Sequence, residues 1–452
     1  MKAPRFLPAL AAAASMLWAS HACALNLLQA YQAALASDPI FAAARASYTA
    51  GLEQLPQARA ALLPWISADA QVAYSDTRRR FTNELPRSRT HADTYGYGLV
   101  LTQPLFDWTS WQTYESAKLA VTLTEVQLQQ AYQDLLLRVA QAYFDVLAAQ
   151  DALTALEAEK SAIAEQLASA KRNFELGTAT ITDTYEAQAR YDLVQAELLQ
   201  GENALQVSRD ALEKIIGRVP ASLAELPPGT PAPPPEPARI EPWIERAQTE
   251  NLGVVQSQLA TAIAGRNVEI ARSGHYPQLT LVGSLDQSDA PYRPEGGSTL
   301  GVTGGRVRGT TGSVALQLNI PLYSGGYVSS RVAQSAALEQ QARHDYENAR
   351  REAIRSTRQA FLGVNTGLAQ IRALEAGEQS SRKALEANQT GYEVGVRINL
   401  DVLNAQQQLF ATQRDLARAR YNTLMAGLRL KAAAGLLTEA DIEGINQLLR
   451  QP

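Results

Sequence analysis

Few residues in this chain of 452 could carry covalent or metal chemistry. There is one cysteine, Cys23, and there are four histidines. Three histidines lie outside the N-terminal segment and are expected in a loop, before a strand and on a helix: His91, His275 and His344. They form no metal-ligand motif, and the many carboxylates are better explained as surface charge on helices. The sequence therefore predicts no enzyme, no cofactor and no metal.

Charged side chains do gather at two glycine-containing turns, where their chemistry is hydrogen bonding and ion pairing. Gly177 lies in FELGTATITDTYEAQ and Gly395 lies in YEVGVRINLDVLNAQ. A glycine can adopt the left-handed conformation that ends a helix. We expect Asp183 to cap the helix after the first turn, with Glu186 completing a capping box, and Asp401 to cap the second helix likewise.

A second role at the same turns is compatible with capping. Arg397 lies in one turn and Asp183 in the other, while Tyr392 lies one helical turn before Gly395. Around a symmetry axis, such side chains could join neighbouring hairpins through charge-assisted pairs worth about 1–3 kcal/mol each. Repeated by rotation, these pairs could hold a pore shut and still yield to the binding energy of a partner.

Four segments of about ten residues alternate apolar and polar side chains with period two, which predicts β-strands. The predicted strands are residues 65–76, 95–105, 277–288 and 311–322. Long polar segments, 77–94 and 290–310, join them in pairs. Strands of this length on long loops are typical of outer-membrane barrels. The alternation by itself is equally compatible with a soluble sandwich that has one wet face.

Four strands cannot close a barrel, and an open strand edge cannot face lipid. Membrane-spanning strands would therefore have to be pooled between chains. A dimer would give eight strands with a bore filled by side chains, whereas a trimer would give twelve strands and room for water. The Gln, Asn, Ser and Thr residues of the polar face favour the trimer.

The rest of the chain is predicted to be helical. No proline interrupts residues 109–172 or 328–390, and some 60 residues of helix would extend roughly 95 Å. Returning helices are expected near Asp183 and Asp401, and both carry apolar or small residues at intervals of three and four. These patterns predict two long antiparallel coiled-coil hairpins with tips near 173–183 and 391–401. A buried helix of a bundle is the alternative, and the uninterrupted length disfavours it.

Matching segments recur in the same order along the chain, which indicates an internal duplication. The turn at Gly177 matches the turn at Gly395, and Asp183 matches Asp401. The first repeat is predicted at residues 25–218 and the second at 243–436. A proline-rich linker at 219–242 separates them, and residues 437–452 form a C-terminal segment.

The N-terminus predicts export. Lys2 and Arg5 precede an apolar stretch, and Ala22-Cys23-Ala24 fits a signal-peptidase site, so we expect a signal peptide at residues 1–24. An N-terminal helix and a lipidated Cys23 are the alternatives. The net charge of −4 gives no indication of a nucleic-acid partner.

Around the two turns and through the helices that follow them, the sequence closely resembles the TolC family of outer-membrane channel-tunnels, which serve efflux and type I secretion systems. The resemblance covers nearly the whole chain after the predicted signal peptide. It implies an α+β membrane protein and a homotrimer, with a twelve-stranded β-barrel, an α-helical periplasmic tunnel and an equatorial region that contains the linker and the C-terminal segment. The protein would lie in the outer membrane of a Gram-negative bacterium, in contact with lipid and extending into the periplasm.

The resemblance also implies roles for single residues. The family's constriction is closed by bonds among residues that match Thr182, Asp183, Tyr392 and Arg397. It opens when an inner-membrane pump and its periplasmic adaptor engage the helical tips. Asp401 matches the first of two acidic positions that ring the entrance, and the second falls on Asn404. We expect this departure to weaken cation binding at the entrance.

Two other classes of function were compared with a passive exit channel. A trimeric coiled-coil stalk or adhesin with a membrane anchor would place its strands together at one end of the sequence, whereas here a strand pair lies inside each repeat. A periplasmic adaptor would have a single hairpin flanked by compact β-domains. The sequence therefore favours an exit channel whose transport energy comes from a partner.

Overall fold

The structure is a computed structural model that describes residues 24–79, 88–220, 222–292 and 305–450. Residues 1–23, which make up all of the predicted signal peptide except Ala24 and include Cys23, lie outside the described residues. The elements follow in this order: α1 (Leu27–Ser37), α2 (Pro39–Leu52), α3 (Gln54–Ala60), β1 (Trp65–Arg79), β2 (Ser88–Phe106), α4 (Trp108–Glu175), α5 (Ile181–Ile216), α6 (Glu241–Glu250), α7 (Leu252–Arg272), β3 (Gln278–Tyr292), β4 (Gly305–Asn319), α8 (Tyr327–Glu393), α9 (Asn399–Ala433) and α10 (Glu439–Asn446).

The chain divides into two compact units. One unit contains the residues up to Ala46, residues 126–255 and the residues from Asn348 onward; the other contains residues 47–125 and 256–347. The strands belong to the second unit. The hairpin tips belong to the first, and so do the linker and the C-terminal helix.

The four strands form one antiparallel sheet in the order β1-β2-β3-β4. All four strands are longer than predicted: β1, β3 and β4 have 15 residues each and β2 has 19. Backbone pairing continues past the apolar alternation because the hydrogen bonds of the ladder do not depend on apolar side chains. The polar connections are correspondingly shorter than predicted, and His91 lies in β2 and not in a loop.

The strand register places the four apolar rows on one face of the sheet. Leu99 lies opposite Ala68 on one side and opposite Leu285 on the other, and Leu281 lies opposite Leu316. On the other face, Gly98 lies between Asp69 and Asp286. Most of the large apolar side chains of the first face are exposed in the single chain, so this face is suited to an apolar environment.

The long helices have nearly the bounds that the sequence predicts. Helix α4 has 68 residues and α8 has 67, so each is about 100 Å long. They are followed by α5, with 36 residues, and α9, with 35. The order of two strands, a long helix, a tight turn and a shorter helix therefore occurs twice along the chain.

The residues predicted at intervals of three and four, which form a heptad row along each shorter helix, contribute to the buried face of that helix. In α9 the buried positions of the row are Val402, Leu409, Thr412, Leu416, Ala419, Thr423 and Leu430; in α5 they are Ala187, Val194, Leu205 and Leu212. Close approach is visible at Gly367, where an added Cβ would clash with the Thr423 side chain. The small side chains of the row therefore bring α8 and α9 together, as the sequence predicts.

Backbone pairing within the first unit connects the linker to residues near both ends of the described chain. Leu223 pairs with Leu25, and Glu225 pairs with Arg450 near the C-terminus. The buried Tyr143 hydroxyl donates to the carbonyl oxygens of Leu25 and Ala224, at 3.0 and 2.8 Å. Residues from the start, the middle and the end of the described chain thus share one core, to which α10 contributes Ile442 and Ile445.

No helix among the described residues has the length and hydropathy of a membrane-spanning segment.

A buried ion pair fixes α2 to α4. Arg138 Nη1 lies 2.8 Å from Asp38 Oδ2, and the Phe41 amide donates to Asp38 Oδ1 at 2.8 Å. Burial acts to raise the pKa of Asp38, but the hydrogen bonds from Arg138 and from the Phe41 amide outweigh it, so the pKa lies below its ordinary value. The ionised carboxylate therefore stabilises the fold.

We expect Asp38→Asn to lower the free energy of unfolding by about 2 kcal/mol at neutral pH, since it leaves Arg138 without its counter-charge. The contribution of the carboxylate is present above the ordinary Asp pKa of about 3.9 and is lost as pH falls through the lower native pKa. The difference from the wild type should accordingly shrink below about pH 4. Thermal denaturation in detergent between pH 3 and pH 7, followed by circular dichroism, measures this difference.

Glu352→Gln, which breaks an exposed pair with Arg355, is the control, and it should change the free energy of unfolding little. A pH-independent difference would contradict the assignment.

Candidate gate at the hairpin tips

Both hairpins reverse through the same backbone turn. Gly177 and Gly395 have φ angles of 74° and 77°, in the left-handed region that favours glycine. The Asn173 carbonyl accepts from the amides of Thr178 and Ala179, and the Gly391 carbonyl accepts from the two amides at the matching positions of the second tip. These bonds satisfy one carbonyl near the end of α4 and the matching carbonyl of α8, so the two turns are equivalent.

The first helix after each turn is capped differently from our prediction. The N-cap of α5 is Thr180, whose hydroxyl accepts from the Asp183 amide at 3.3 Å. Asp183 is the third helical residue, and its carboxylate accepts from the Thr180 amide at 3.0 Å. The prediction of Asp183 as the N-cap, with Glu186 completing the box, is therefore wrong: Asp183 is itself the acidic partner in the capping box.

The prediction that Asp401 caps α9 is also wrong. The N-cap there is Ile398, which has no side-chain oxygen, and no side-chain hydrogen bond caps the helix. Asp401 again occupies the third helical position and forms an ion pair with Arg397 at 3.6 Å. Its negative charge still lies in the first turn, where it interacts favourably with the helix dipole.

A cleft of about 790 Å³ between the two tips brings together three of the four predicted constriction residues. Asp183, Tyr392 and Arg397 line it, together with Gly395, whereas the exposed Thr182 does not. Tyr392 is half-buried, and its hydroxyl accepts a hydrogen bond from Asn173 Nδ2 at 3.3 Å. Among the described residues of the single chain, no hydrogen bond or ion pair joins Arg397 or Tyr392 to Thr182 or Asp183.

Arg397 lies against the end of its own hairpin because position 391 is glycine. A Cβ added at Gly391 would lie 2.6 Å from Arg397 Cγ. The guanidinium remains exposed, so it is available to a neighbouring chain.

The side chains at both predicted entrance positions contact arginines of the same chain. Asp401 pairs with Arg397, and Asn404 Oδ1 accepts from Arg190 Nη2 at 2.9 Å. The part of the chain that the structure describes holds no group of three or more His, Cys, Asp or Glu residues placed to bind a metal ion. Because residue 404 is asparagine, Asp401 is the one carboxylate at these two predicted positions.

Asn399 is the most deeply buried polar residue at the tips, and the sequence did not predict a role for it. Its side chain is fully buried; Nδ2 donates to the Asp183 carbonyl at 3.1 Å, and Oδ1 accepts from Gln166 Nε2. The matching residue in the first copy is Ile181, which is 42% exposed. An alignment of the two copies places this asparagine opposite an isoleucine, and that difference is the signal that could have identified Asn399.

Further along the hairpins, α9 is joined to α4 by buried polar pairs. Arg414 Nη1 lies 2.5 Å from Glu159 Oε2, and the Tyr421 hydroxyl donates to Asp151 at 2.7 Å. Burial raises the pKa of both carboxyl groups in spite of these partners. These pairs are costly to separate, because either member would be left buried without a partner.

Large apolar side chains are exposed around the two tips. They share positions in or beside the turns: Phe174, Leu176, Ile181, Val394, Val396 and Ile398. Leu176 and Val396 are each 76% exposed. A set of this kind at the end of a polar hairpin indicates a contact surface for another protein.

Comparison with known proteins agrees with this architecture. The sequence model of the family described as "Outer membrane efflux protein" matches residues 30–218 and 243–436. The outer membrane protein TolC of Vibrio cholerae is 33% identical over 452 residues, which cover 99% of each chain. The alkaline protease secretion protein AprF of Pseudomonas aeruginosa is 32% identical, over 93% of this chain and 86% of that protein. Among solved structures, the outer membrane protein VceC of Vibrio cholerae has the same fold, with a TM-score of 0.76 and 20% identity over 90% of this chain and 96% of that chain.

We expect Thr180→Ala to loosen the start of α5, because it removes the capping hydroxyl at a cost of about 1 kcal/mol. The first amides of α5 should then exchange with deuterium roughly fivefold faster. Ile398→Ala is the matched control at the N-cap of α9, where no side-chain bond is lost, and it should leave exchange at the start of α9 unchanged. Hydrogen exchange followed by mass spectrometry of tip peptides measures both. Equal changes in the two variants would contradict the difference in capping.

Proposed function

The chain belongs to the outer membrane efflux protein family, and on that premise we propose how it assembles, how it is gated and what it contacts. It is an outer-membrane exit channel for efflux and type I secretion. It is a transport protein and not an enzyme, and the surface stalk or adhesin has no support from the family match.

The assembly we propose is a homotrimer whose twelve strands close one barrel in the outer membrane. The observation that carries it is the four-stranded sheet, in which β1 and β4 have an outer edge with no neighbouring strand among the described residues. Edges of this kind cannot face lipid, and the exposed apolar face needs hydrocarbon. The polar face, with Asp69 and Asp286, would line a bore wide enough for water.

The two predicted repeats, at residues 25–218 and 243–436, would each contribute a strand pair to the barrel and a helical hairpin to a periplasmic tunnel. The repeated order of elements and the equivalent turns support this division. The linker at 219–242, together with the C-terminal segment, would belong to the equatorial region, which agrees with the bridges at Leu223 and Glu225.

The gate we propose lies at the periplasmic tips. Three copies would bring Arg397 of one chain toward Asp183 and Thr182 of a neighbour, while Tyr392 and Gly395 complete the closed constriction. The exposure of the Arg397 guanidinium and its position on the same cleft as Asp183 support this arrangement. Asp401 and Asn404 would lie at the entrance, with the one carboxylate described above.

The partners we propose are an inner-membrane pump and a periplasmic adaptor that engages the tips. The exposed apolar side chains around both turns support an adaptor contact, because a protein partner would bury them. The transport energy would come from the pump, and the channel itself would remain passive.

Arg397→Ala should raise the single-channel conductance of the purified trimer in planar bilayers, and Tyr392→Phe should add to the effect. Removing a charge-assisted pair worth about 1–3 kcal/mol would shift the ratio of open to closed channels about five- to 150-fold. Arg382→Ala is the control, since it removes an equally exposed arginine of α8 that is paired only within its helix, with Glu378. If Arg397→Ala trimers of normal assembly conduct like the wild type, the gating role is wrong.

Replacing Leu176 and Val396 by serine should weaken chemical crosslinking to the adaptor and pump in whole cells, since the apolar area buried at the contact is lost. We expect crosslinking to fall severalfold while the conductance of the purified trimer stays the same. Leu362→Ser, which alters a similarly exposed apolar residue in the middle of α8, is the matched control. Undiminished crosslinking of the double variant would place the partner elsewhere on the helices.

A further inference from the structure

Asn399 connects three helices at a place where the second copy departs from the first. It is the first residue of α9, and it bonds to Gln166 on α4 and to the Asp183 carbonyl on α5. Ile181, the first residue of α5, occupies the matching place and is exposed, not buried. The amide is therefore not a requirement of the turn, which both copies share.

The contacts of Asn399 are complete only while the second tip lies against the first hairpin. One N–H of its amide donates to the Asp183 carbonyl and its oxygen accepts from Gln166, and both bonds exist only in this arrangement of the helices. Next to it, Val402 and Leu403 are fully buried, and Leu403 packs among Ile163, Leu167, Ala170, Ala187 and Val194. The apolar cluster supplies contact area, and the amide fixes the register of the two hairpins.

We propose that Asn399 is an intrachain latch, a positioning residue that holds the second hairpin tip against the first and so keeps Tyr392 and Arg397 beside Asp183. This inference rests on the proposed gate. When the tip moves away, water hydrates the released amide, the Gln166 side chain and the Asp183 carbonyl, which makes the contact reversible in a way that an apolar residue would not be. The latch acts within one chain, in contrast to the proposed bonds between chains.

The test is the conductance of the assembled trimer in planar bilayers. Asn399→Ala should raise the ratio of open to closed channels about tenfold, the change expected when one or two ordinary hydrogen bonds are lost. Asn399→Asp should raise it at least as much, because the carboxylate cannot donate to the Asp183 carbonyl. Ile181→Ala, the matched change in the first copy, should have no effect.

Two further measurements separate a latch from a residue that only supports folding. In a double-mutant cycle, Gln166→Ala and Asn399→Ala should be non-additive, and additive effects would overturn the direct bond. Spin labels at Ser169 and Gln389, which line the cleft from α4 and α8, should report longer distances in Asn399→Ala trimers. An unchanged distance would overturn the latch.

The failure of the latch can be distinguished from the failure of the gate. If Arg397→Ala opens the channel and both Asn399 variants do not, the latch is wrong and the gate stands. If neither Arg397→Ala nor the Asn399 variants change the conductance, the gate is wrong and the latch fails with it.

Discussion

The structure depends on one constraint: every backbone amide and carbonyl needs a hydrogen-bond partner. In water an unpaired strand edge is tolerable, but in hydrocarbon each unpaired group costs several kcal/mol. The sheet order β1-β2-β3-β4 leaves edges at β1 and β4, and the register collects the apolar side chains on one face. Such a sheet is incomplete by itself in a membrane, and this is the physical reason for the oligomer that we propose.

The helical part is held by contacts of two kinds, apolar packing and polar bonds. Along α9, apolar residues of the heptad row give a continuous seam, and polar bonds to the first hairpin interrupt it at intervals. The buried pair of Glu159 and Arg414 is costly to separate, whereas the bonds of Tyr392 and Arg190 at the tip are partly exposed and can exchange with water. The polar contacts between the second hairpin and the first are therefore more deeply buried along the helices than at these two tip bonds, which makes the tip bonds easier to break.

Periodicity was sufficient to predict most of the architecture. The proline-free lengths of α4 and α8, the heptad row of α9 and the period-two rows of the strands depend on repeated local patterns, which a single sequence displays. Strand ends were underestimated because pairing with a neighbour extended β2 through His91, beyond any side-chain pattern. The pairing of β2 with β3, which joins the two halves in one sheet, is a long-range contact that no local pattern encodes.

At the tips, the sequence predicted the turns better than the contacts. Glycine at 177 and 395 has a local reason, the left-handed backbone. Capping was assigned to the wrong residues, because Asp183 fits both the N-cap and the third helical position and only the backbone geometry decides between them. Asn399 was missed since its partners lie more than 200 residues earlier in the chain.

The difference between the two tips affects how many copies of a partner can bind to one assembly. One tip carries Thr180 and an exposed Ile181, and the other carries Ile398, a buried Asn399 and the charge of Arg397. In a ring of three chains these tips would alternate, so that six similar turns would offer two chemically distinct kinds of surface. A partner selective for one kind would bind three times, and a partner that binds six times would have to tolerate both.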